Sequence, residues 1–406
     1  RRRANFLDRL GARMERVPAA SGRRRVWIHA VSVGEALAAG AVARHLRQQA
    51  CEADVLLSTV TLTGQEAASR VLGDAIDSRF YFPFDVPFAC RRFLDRVRPD
   101  AVAVMETEIW PNFLAECAGR RIPVLLLNAR LSDRSFRRYL RVRGFVGRVL
   151  RCFRAIAAQT EEDARRFVLL GADPAGVAVA GNVKFDAEPP RGGPSPLAER
   201  LDEARAAGAR WFVAGSTHEG EEAAVLDALR AAREADGRVR LLLAPRHPER
   251  CAEVELLCRR GGWEVCRRSA LAPGASLPPA PVLLLDTVGE LAAAYEAAEL
   301  AFVGGSLVPR GGHNVLEPAM FGVPVLTGPH TANFGDIVGR FREAGACEVV
   351  ADERALTAVV SDWARAPEPF RAMGSRGRAL VETSRGAARA AAALLLAALG
   401  EDGAPR

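Results

Sequence analysis

A chain of 406 residues, 49% hydrophobic and 26% charged, carries enough apolar surface for two or three packed cores, which excludes a disordered or fibrous protein. Its net charge of +7 favours polyanionic partners such as nucleic acid, anionic lipid or a phosphorylated substrate. No run of eighteen apolar residues could span a membrane, and the eight cysteines show neither C-x-x-C nor a disulfide pattern, so they read as free thiols of a reducing, cytosolic compartment.

The chain opens on Arg1-Arg2-Arg3 without a methionine, a basic flank of the kind that lies cytoplasmic to a membrane anchor. Positive charge is concentrated in the first half, at Arg23 to Arg25 and again from Arg134 through Arg137, Arg138, Arg141, Arg143 and Arg148 to Arg154. From Val26 onward, short apolar runs alternate with helical patterns, the signature of βαβ units and a parallel sheet. In the first half the predicted strands are Val26–Val31, Asp54–Thr59, Ala101–Glu106, Ile122–Leu127, Ala155–Gln159 and Val177–Ala180.

Three strand exits in this half carry chemistry. After the first strand, Ser32-Val-Gly-Glu35 opens a helix, and Glu35 has two readings: the carboxylate of a capping box, or a general base aimed at a substrate hydroxyl. Thr63-Gly-Gln-Glu66 and Ser216-Thr-His-Glu219 repeat that cap spacing. The third strand ends in Glu106 and Glu108, which share a side if the chain stays extended and which either pair with Arg130 or Arg134 or serve a reaction. The sixth runs into Gly181-Asn-Val-Lys-Phe-Asp186, where Lys184 is either a solvated loop charge or a cation that stabilises negative charge on a leaving phosphate.

A proline- and glycine-rich stretch, residues 189–196, cannot continue a helix or a central strand and reads as a linker. It separates domains at 1–188 and 197–384, and an alanine- and leucine-rich helix with its tail, 385–406, could pack on either. Strands in the second half are predicted at Trp211–Gly215, Val239–Ala244, Val282–Asp286, Leu300–Gly304, Val323–Thr327 and Cys347–Val350. Two doubly wound domains place the carboxyl ends of two sheets across a cleft, where ligands bind.

Pro245-Arg246-His247 follows the second strand of this half: Arg246 suits bidentate recognition of phosphate, and His247 reads as a polar loop histidine. Asp286-Thr-Val-Gly-Glu290 is either a cap or a helix start whose N–H groups face a nucleotide. Phe302 to Pro318 reads as a buried strand, a glycine-rich loop and a helix start. Gly304, Gly305, Gly311 and Gly312 would let the backbone approach a phosphate, which the N–H groups of a helix opening near His313 and Asn314 would face, with Glu317 placed to accept from a ribose. The alternative is an ordinary strand-to-helix turn. G-x-x-x-x-G-K-[ST], G-x-S-x-G and a G-x-G-x-x-G after the first strand are all missing, which removes most support for nucleotide hydrolysis, redox chemistry and a serine hydrolase.

Taken together, His29-Ala-Val-Ser-Val-Gly-Glu35, Met105-Glu-Thr-Glu-Ile-Trp-Pro-Asn112, Asn128-Ala-Arg-Leu-Ser132, Gly181 to Asp186, Ser216-Thr-His-Glu-Gly-Glu221 and Pro245 to Arg250 resemble the Kdo transferases, the 3-deoxy-D-manno-octulosonate transferases of Gram-negative lipopolysaccharide synthesis. The resemblance implies the α/β GT-B fold, two Rossmann-like doubly wound domains facing an interdomain cleft. It implies an inverting transfer of Kdo from CMP-Kdo to the lipid A precursor, lipid IVA, with no cofactor and no metal. Glu35 would be the general base, with Glu106 and Lys184 supporting the transition state. Pro245, Arg246, Val288, Gly289, Glu290, Asn314, Val315, Leu316 and Glu317 would contact the donor.

Implied partners are CMP-Kdo, the lipid A precursor and an anionic membrane surface, with no nucleic acid. The implied location is the cytoplasmic face of the inner membrane, anchored by a segment ahead of this sequence. The alternatives are another GT-B nucleotide-sugar enzyme, a UDP-sugar transferase or epimerase, and a non-catalytic nucleotide-binding scaffold of the same fold.

Overall fold

The structure, a computed structural model, describes residues 2–49, 52–61, 65, 75–186, 196–272 and 274–401. All of the 189–196 linker except Pro196, and all of the Thr63–Glu66 cap except Gln65, lie outside them. The chain divides into two compact units, Arg1–Ala187 with Ser384–Arg406, and Glu188–Thr383.

The first unit is built on a parallel seven-stranded sheet: β1 Arg25–His29, β2 Asp54–Thr59, β3 Ser78–Tyr81, β4 Ala101–Met105, β5 Val124–Ala129, β6 Ala155–Ala158 and β7 Val177–Val179. Their order is β3-β2-β1-β4-β5-β6-β7. β1, β2, β4 and β5 are buried throughout, which is why they read as unbroken apolar runs: helices cover both faces of a parallel sheet. Alternate side chains feed opposite cores, Val26 and Ile28 entering one, Trp27 the other.

The second unit repeats the plan with β8 Arg210–Thr217, β9 Val239–Pro245, β10 Val265–Arg267, β11 Val282–Leu284, β12 Leu300–Val303, β13 Val325–Thr327 and β14 Cys347–Val349, in the order β10-β11-β9-β8-β12-β13-β14. Each of the twelve strands expected from sequence has its counterpart. The two that sequence missed, β3 and β10, both lie at a sheet edge. They contain Arg79 and Arg267 and are only partly buried, so no apolar run marks them.

Sequence left the partner of the C-terminal helix open, and the structure gives it to the first unit. In the helix Ala387–Glu401, the side chains of Ala388, Ala391, Ala392 and Leu395 share a core with Ala39, Val42, Ala43 and Leu46 of the helix Val33–Gln48. Alanine on both sides lets the two helices pack closely. The Asp186 carboxylate accepts from Gly386 N and Ala388 N, both at 2.6 Å, satisfying N–H groups at the helix start. Among the described residues no helix is long and apolar enough to cross a membrane.

Leu395 is fully buried, so Leu395→Ala should destabilise the first unit by about 2–5 kcal/mol through lost burial and the cavity left behind. Thermal unfolding followed separately for each unit checks this. The expected result is a lowered midpoint for the first unit and an unchanged one for the second.

Candidate active site

Strand order reverses between β1 and β4 in the first unit and between β8 and β12 in the second. Crevices outside the carboxyl ends of such strand pairs are where open α/β sheets bind ligands. Glu35 and Glu106 follow the two strands at the first reversal, with Lys184 reaching Glu106, while Asn314 and Glu317 lie beyond β12 at the second, within the influence of Arg246.

In the first unit, the chain leaves β1 and enters the helix Val33–Gln48 through Ser32, whose Oγ accepts from Glu35 N at 3.2 Å. Glu35 Oε2 accepts from Val31 N at 2.8 Å. The cap therefore exists, and it fixes the carboxylate in place rather than competing with a chemical role. Glu35 is only 7% exposed. Burial raises its pKa, hydrogen bonds from Val31 and Ser32 oppose that, and the charge of Glu106 adds to it.

Directly after β4 comes Glu106 at φ 57°, a left-handed conformation uncommon for a residue with a side chain. The extended run stops there, so Glu106 and Glu108 do not share a strand face. Glu106 N donates to Leu127 O at 2.9 Å. The Glu106 carboxylate lies between Arg130 Nε at 3.3 Å and Lys184 Nζ at 3.7 Å. Of the two arginines considered from sequence, Arg130 is the one that pairs, and Lys184 joins it rather than standing as a solvated loop charge.

Lys184 is delivered by the short 3₁₀ turn Val183–Asp186. Asn128, also left-handed at φ 55°, holds that turn, its Oδ1 accepting from Val183 N at 3.0 Å. Glu108 completes the group: burial first, then the charges of Glu35 and Glu106, push its pKa up to about 7. His29, the buried last residue of β1, has Nδ1 3.0 Å from Ser58 Oγ and its ring stacked on Phe82 at 3.8 Å. Burial pushes its pKa down to about 3, so the ring is neutral.

In the second unit, the N–H groups of Gly305, Ser306 and Leu307 in the glycine-rich loop are already taken within the chain. Glu221, fully buried at the start of the helix Glu221–Ala235, accepts from Gly305 N at 2.7 Å and from Ser306 N, Leu307 N and His218 N at 2.9 Å each. An internal carboxylate occupies the cradle. Gly304 is required by packing instead, since a Cβ there would sit 2.7 Å from Ser216 O. Ser216 to Glu219 is not a cap either: Ser216 and Thr217 belong to β8, and the helix begins after Gly220.

The expected donor residues lie around this core. Pro245 ends β9, and Arg246 next to it is exposed, its N–H donating to Thr217 O at 2.9 Å. Asn314 Nδ2 donates to Glu317 Oε1 at 3.2 Å, just ahead of and within the short helix Leu316–Met320. Burial raises the pKa of Glu317, while the Asn314 hydrogen bond and the charge of Arg246 hold it back. The Val315 and Leu316 side chains are buried, which leaves their backbone to meet a ligand.

Val288 is 83% exposed and Gly289 has φ 94°, a tight turn beyond β11. Glu290 is already tied to Arg268, at 2.9 Å and 3.1 Å, and to Thr287 Oγ1. Sequence reasoning missed Glu221 and the neighbouring histidines His218 and His313. The Ser216–Glu221 motif contained the signal, but cap spacing drew attention to Glu219.

With this geometry established, comparison with solved structures identifies the class. UDP-GlcNAc 2-epimerase from Neisseria meningitidis superposes with a TM-score of 0.58 over 92% of this chain and 99% of that one, at 14% identity. The calicheamicin glycosyltransferase CalG4 gives 0.53 over 94% and 100%, at 15% identity. The fold is GT-B, an architecture of nucleotide-sugar enzymes.

Sequence comparison narrows this further. Residues 8–187 match the family model described as 3-deoxy-D-manno-octulosonic-acid transferase (kdotransferase). The 3-deoxy-D-manno-octulosonic acid transferase of Haemophilus influenzae is 36% identical over 371 residues, 89% of this chain and 84% of that protein. The one from Bordetella pertussis is 38% identical over 379 residues, 90% and 85%. The chain belongs to the 3-deoxy-D-manno-octulosonic acid transferase family of glycosyltransferases.

The carboxylate group has a pH signature. A carboxyl whose folded-state pKa is raised gives stability that is present below its unfolded value and lost as pH rises through the folded one, here from 4.5 to about 7 for Glu108. Glu108→Gln should therefore raise the unfolding midpoint of the first unit at about pH 8 and leave it unchanged at about pH 4. Melting curves at the two pH values check the sign.

Proposed function

We propose that the protein is an inverting glycosyltransferase that moves Kdo from CMP-Kdo to the lipid A precursor, lipid IVA, in lipopolysaccharide synthesis. One observation carries the mechanism: a nearly buried carboxylate, Glu35, with a raised pKa, fixed at the strand-order reversal of the first unit. A general base works best when its pKa approaches the working pH and its position is fixed. Glu35 takes the proton of the acceptor hydroxyl as that oxygen attacks the anomeric carbon and the CMP phosphate leaves with the C–O electron pair.

Glu106, paired with Arg130 and Lys184, places its carboxylate beside the positive charge that develops on the sugar ring. Lys184 positions Glu106 and supplies positive charge for a sugar acid. In the second unit Arg246, with the turn at Val288, Gly289 and Glu290 and the segment Asn314 to Glu317, receives the donor. There Glu317 accepts from the ribose and Arg246 meets the phosphate.

The acceptor is a phosphorylated lipid, and the first unit carries a matching surface. Leu140, Val142 and Phe145 are 42%, 51% and 51% exposed, interleaved with exposed Arg137, Arg138, Arg141 and Arg143. Apolar side chains among arginines suit an anionic bilayer, and we place this surface on the cytoplasmic face of the inner membrane.

Glu35→Gln keeps the shape and removes the base. Transfer of Kdo to lipid IVA should fall by about 10²–10⁴-fold, while calorimetric affinity for CMP stays at the wild-type value. Near-normal turnover would remove Glu35 from the mechanism, and tighter binding of UDP than CMP would count against the donor. Separately, replacing Leu140, Val142 and Phe145 by serine should weaken co-sedimentation with phosphatidylglycerol vesicles. Added salt should weaken wild-type binding by screening the arginines, and unchanged sedimentation of the triple variant would dismiss this surface.

A further inference from the structure

If Glu221 fills the amide cradle, the negative charge of a donor must be met by something else at the β8–β12 reversal. His218 follows β8 directly, and His313 lies in the loop beyond β12. Their Nε2 atoms are 2.9 Å apart, with the ring planes 3° from parallel. Gly305 makes the meeting possible: a Cβ there would lie 2.9 Å from the His313 ring and 3.3 Å from that of His218. A third imidazole, His247, stands edge-on to His218 with ring centroids 5.6 Å apart. Arg246 acts on both rings and Arg310 on His218 as nearby positive charges, and Glu221 acts on His218 as a nearby negative one.

The hydrogen bond between two Nε2 atoms dictates the tautomers. One ring must carry Nε2–H and the other must offer its Nε2 lone pair, so the second ring bears its proton on Nδ1. The neutral pair then has one open acceptor, the Nδ1 of the donating ring. Taking one proton there leaves the Nε2 bond intact, now charge-assisted, and adds an N–H donor and a positive charge. Without an anion the pair stays neutral near pH 7. Burial holds His313 down to about 4, with Arg246, His218 and His247 adding to the effect; burial also lowers His218, against the pull of Glu221.

We propose that the His218–His313 pair is a proton-coupled oxyanion site, which receives the phosphodiester of the donor by taking up one proton as the anion binds. This rests on the donor reading given above and deepens it. When the bond from anomeric carbon to phosphate oxygen breaks, that oxygen keeps the electron pair and the phosphate gains a negative charge. The imidazolium stabilises it by hydrogen bonding, with no proton transfer required. Because both half-buried rings are locked to each other, the donor atoms are oriented before the ligand arrives.

The test is calorimetry on the full chain with the methyl ester of CMP, a phosphodiester whose single charge is constant between about pH 6 and about pH 8, and with cytidine as the phosphate-free control. Running it in buffers of different ionisation enthalpy counts protons. The expected result is uptake of about one proton per ester and an affinity that rises about tenfold for each pH unit lowered, with cytidine showing neither. His218→Asn and His313→Asn should each abolish the uptake and weaken ester binding about tenfold, leaving cytidine binding unchanged. Equal losses for cytidine would reduce the pair to a structural role and overturn the proposal.

Should either variant fail to fold, wild-type imidazole NMR signals titrated with sulfate, whose charge is fixed, decide the matter. Protonation of the pair on sulfate addition supports the site. No response to sulfate and no proton uptake with the ester overturns it. A response to sulfate without binding of any cytidine nucleotide keeps the oxyanion site and discards the donor reading. Ester binding without uptake does the reverse.

Discussion

A carboxylate removed from water needs hydrogen bonds or opposite charge, or it will not stay ionised. Both units place such a group at the start of the helix that leaves the first strand of their sheet: Glu35 after β1 and Glu221 after β8. The way each is satisfied separates scaffold from chemistry. Glu221 accepts four backbone N–H groups and binds the loop after β12 to the end of β8. Glu35 has fewer donors and two carboxylates near it, so its charge is harder to keep. A saturated carboxylate holds a fold together, whereas an under-satisfied one is available to take a proton.

The same contrast explains the left-handed residues at strand exits. Glu106, Asn128 and Ser216 all have positive φ without being glycine. Glu106 follows the last residue of β4, while Asn128 and Ser216 sit at register shifts near the carboxyl ends of β5 and β8. At Glu106 the turn puts the carboxylate between two cations, and at Asn128 it presents an amide oxygen to the turn that carries Lys184. Local conformational cost at these positions is offset by the rigid sheet beneath them.

Much of this could be read from the sequence. Buried parallel strands have a period and an apolar content that solvent-exposed segments lack, so the central strands were visible, while β3 and β10, carrying charge at the sheet edges, were not. Glu35, Glu106 and Lys184 stood out because each charge follows an apolar run. In the glycine loop the sequence is less explicit: glycines announce that something approaches the backbone closely, but not what. Here it is Glu221 and two histidine rings, and Glu221 lies far from Gly305 along the chain. Pairings made by tertiary structure, such as His218 with His313, leave no spacing to detect. The same holds for the choice of Arg130 over Arg134, which depends on where β5 ends relative to β4.

The helix Ala387–Glu401 gives this molecule an unusual order of assembly. Chains emerge from the ribosome N-terminus first, and domains generally fold as units in that order. The first unit departs from this rule, because the core that holds Ala39, Val42, Ala43 and Leu46 is completed by residues made after the whole second unit. During synthesis the earlier half must wait, with an apolar surface uncovered, while the later half emerges and folds. A nascent chain of this kind is a natural client for chaperones that shield such surfaces, and a stalled or truncated message would release a first unit with part of its core open to water.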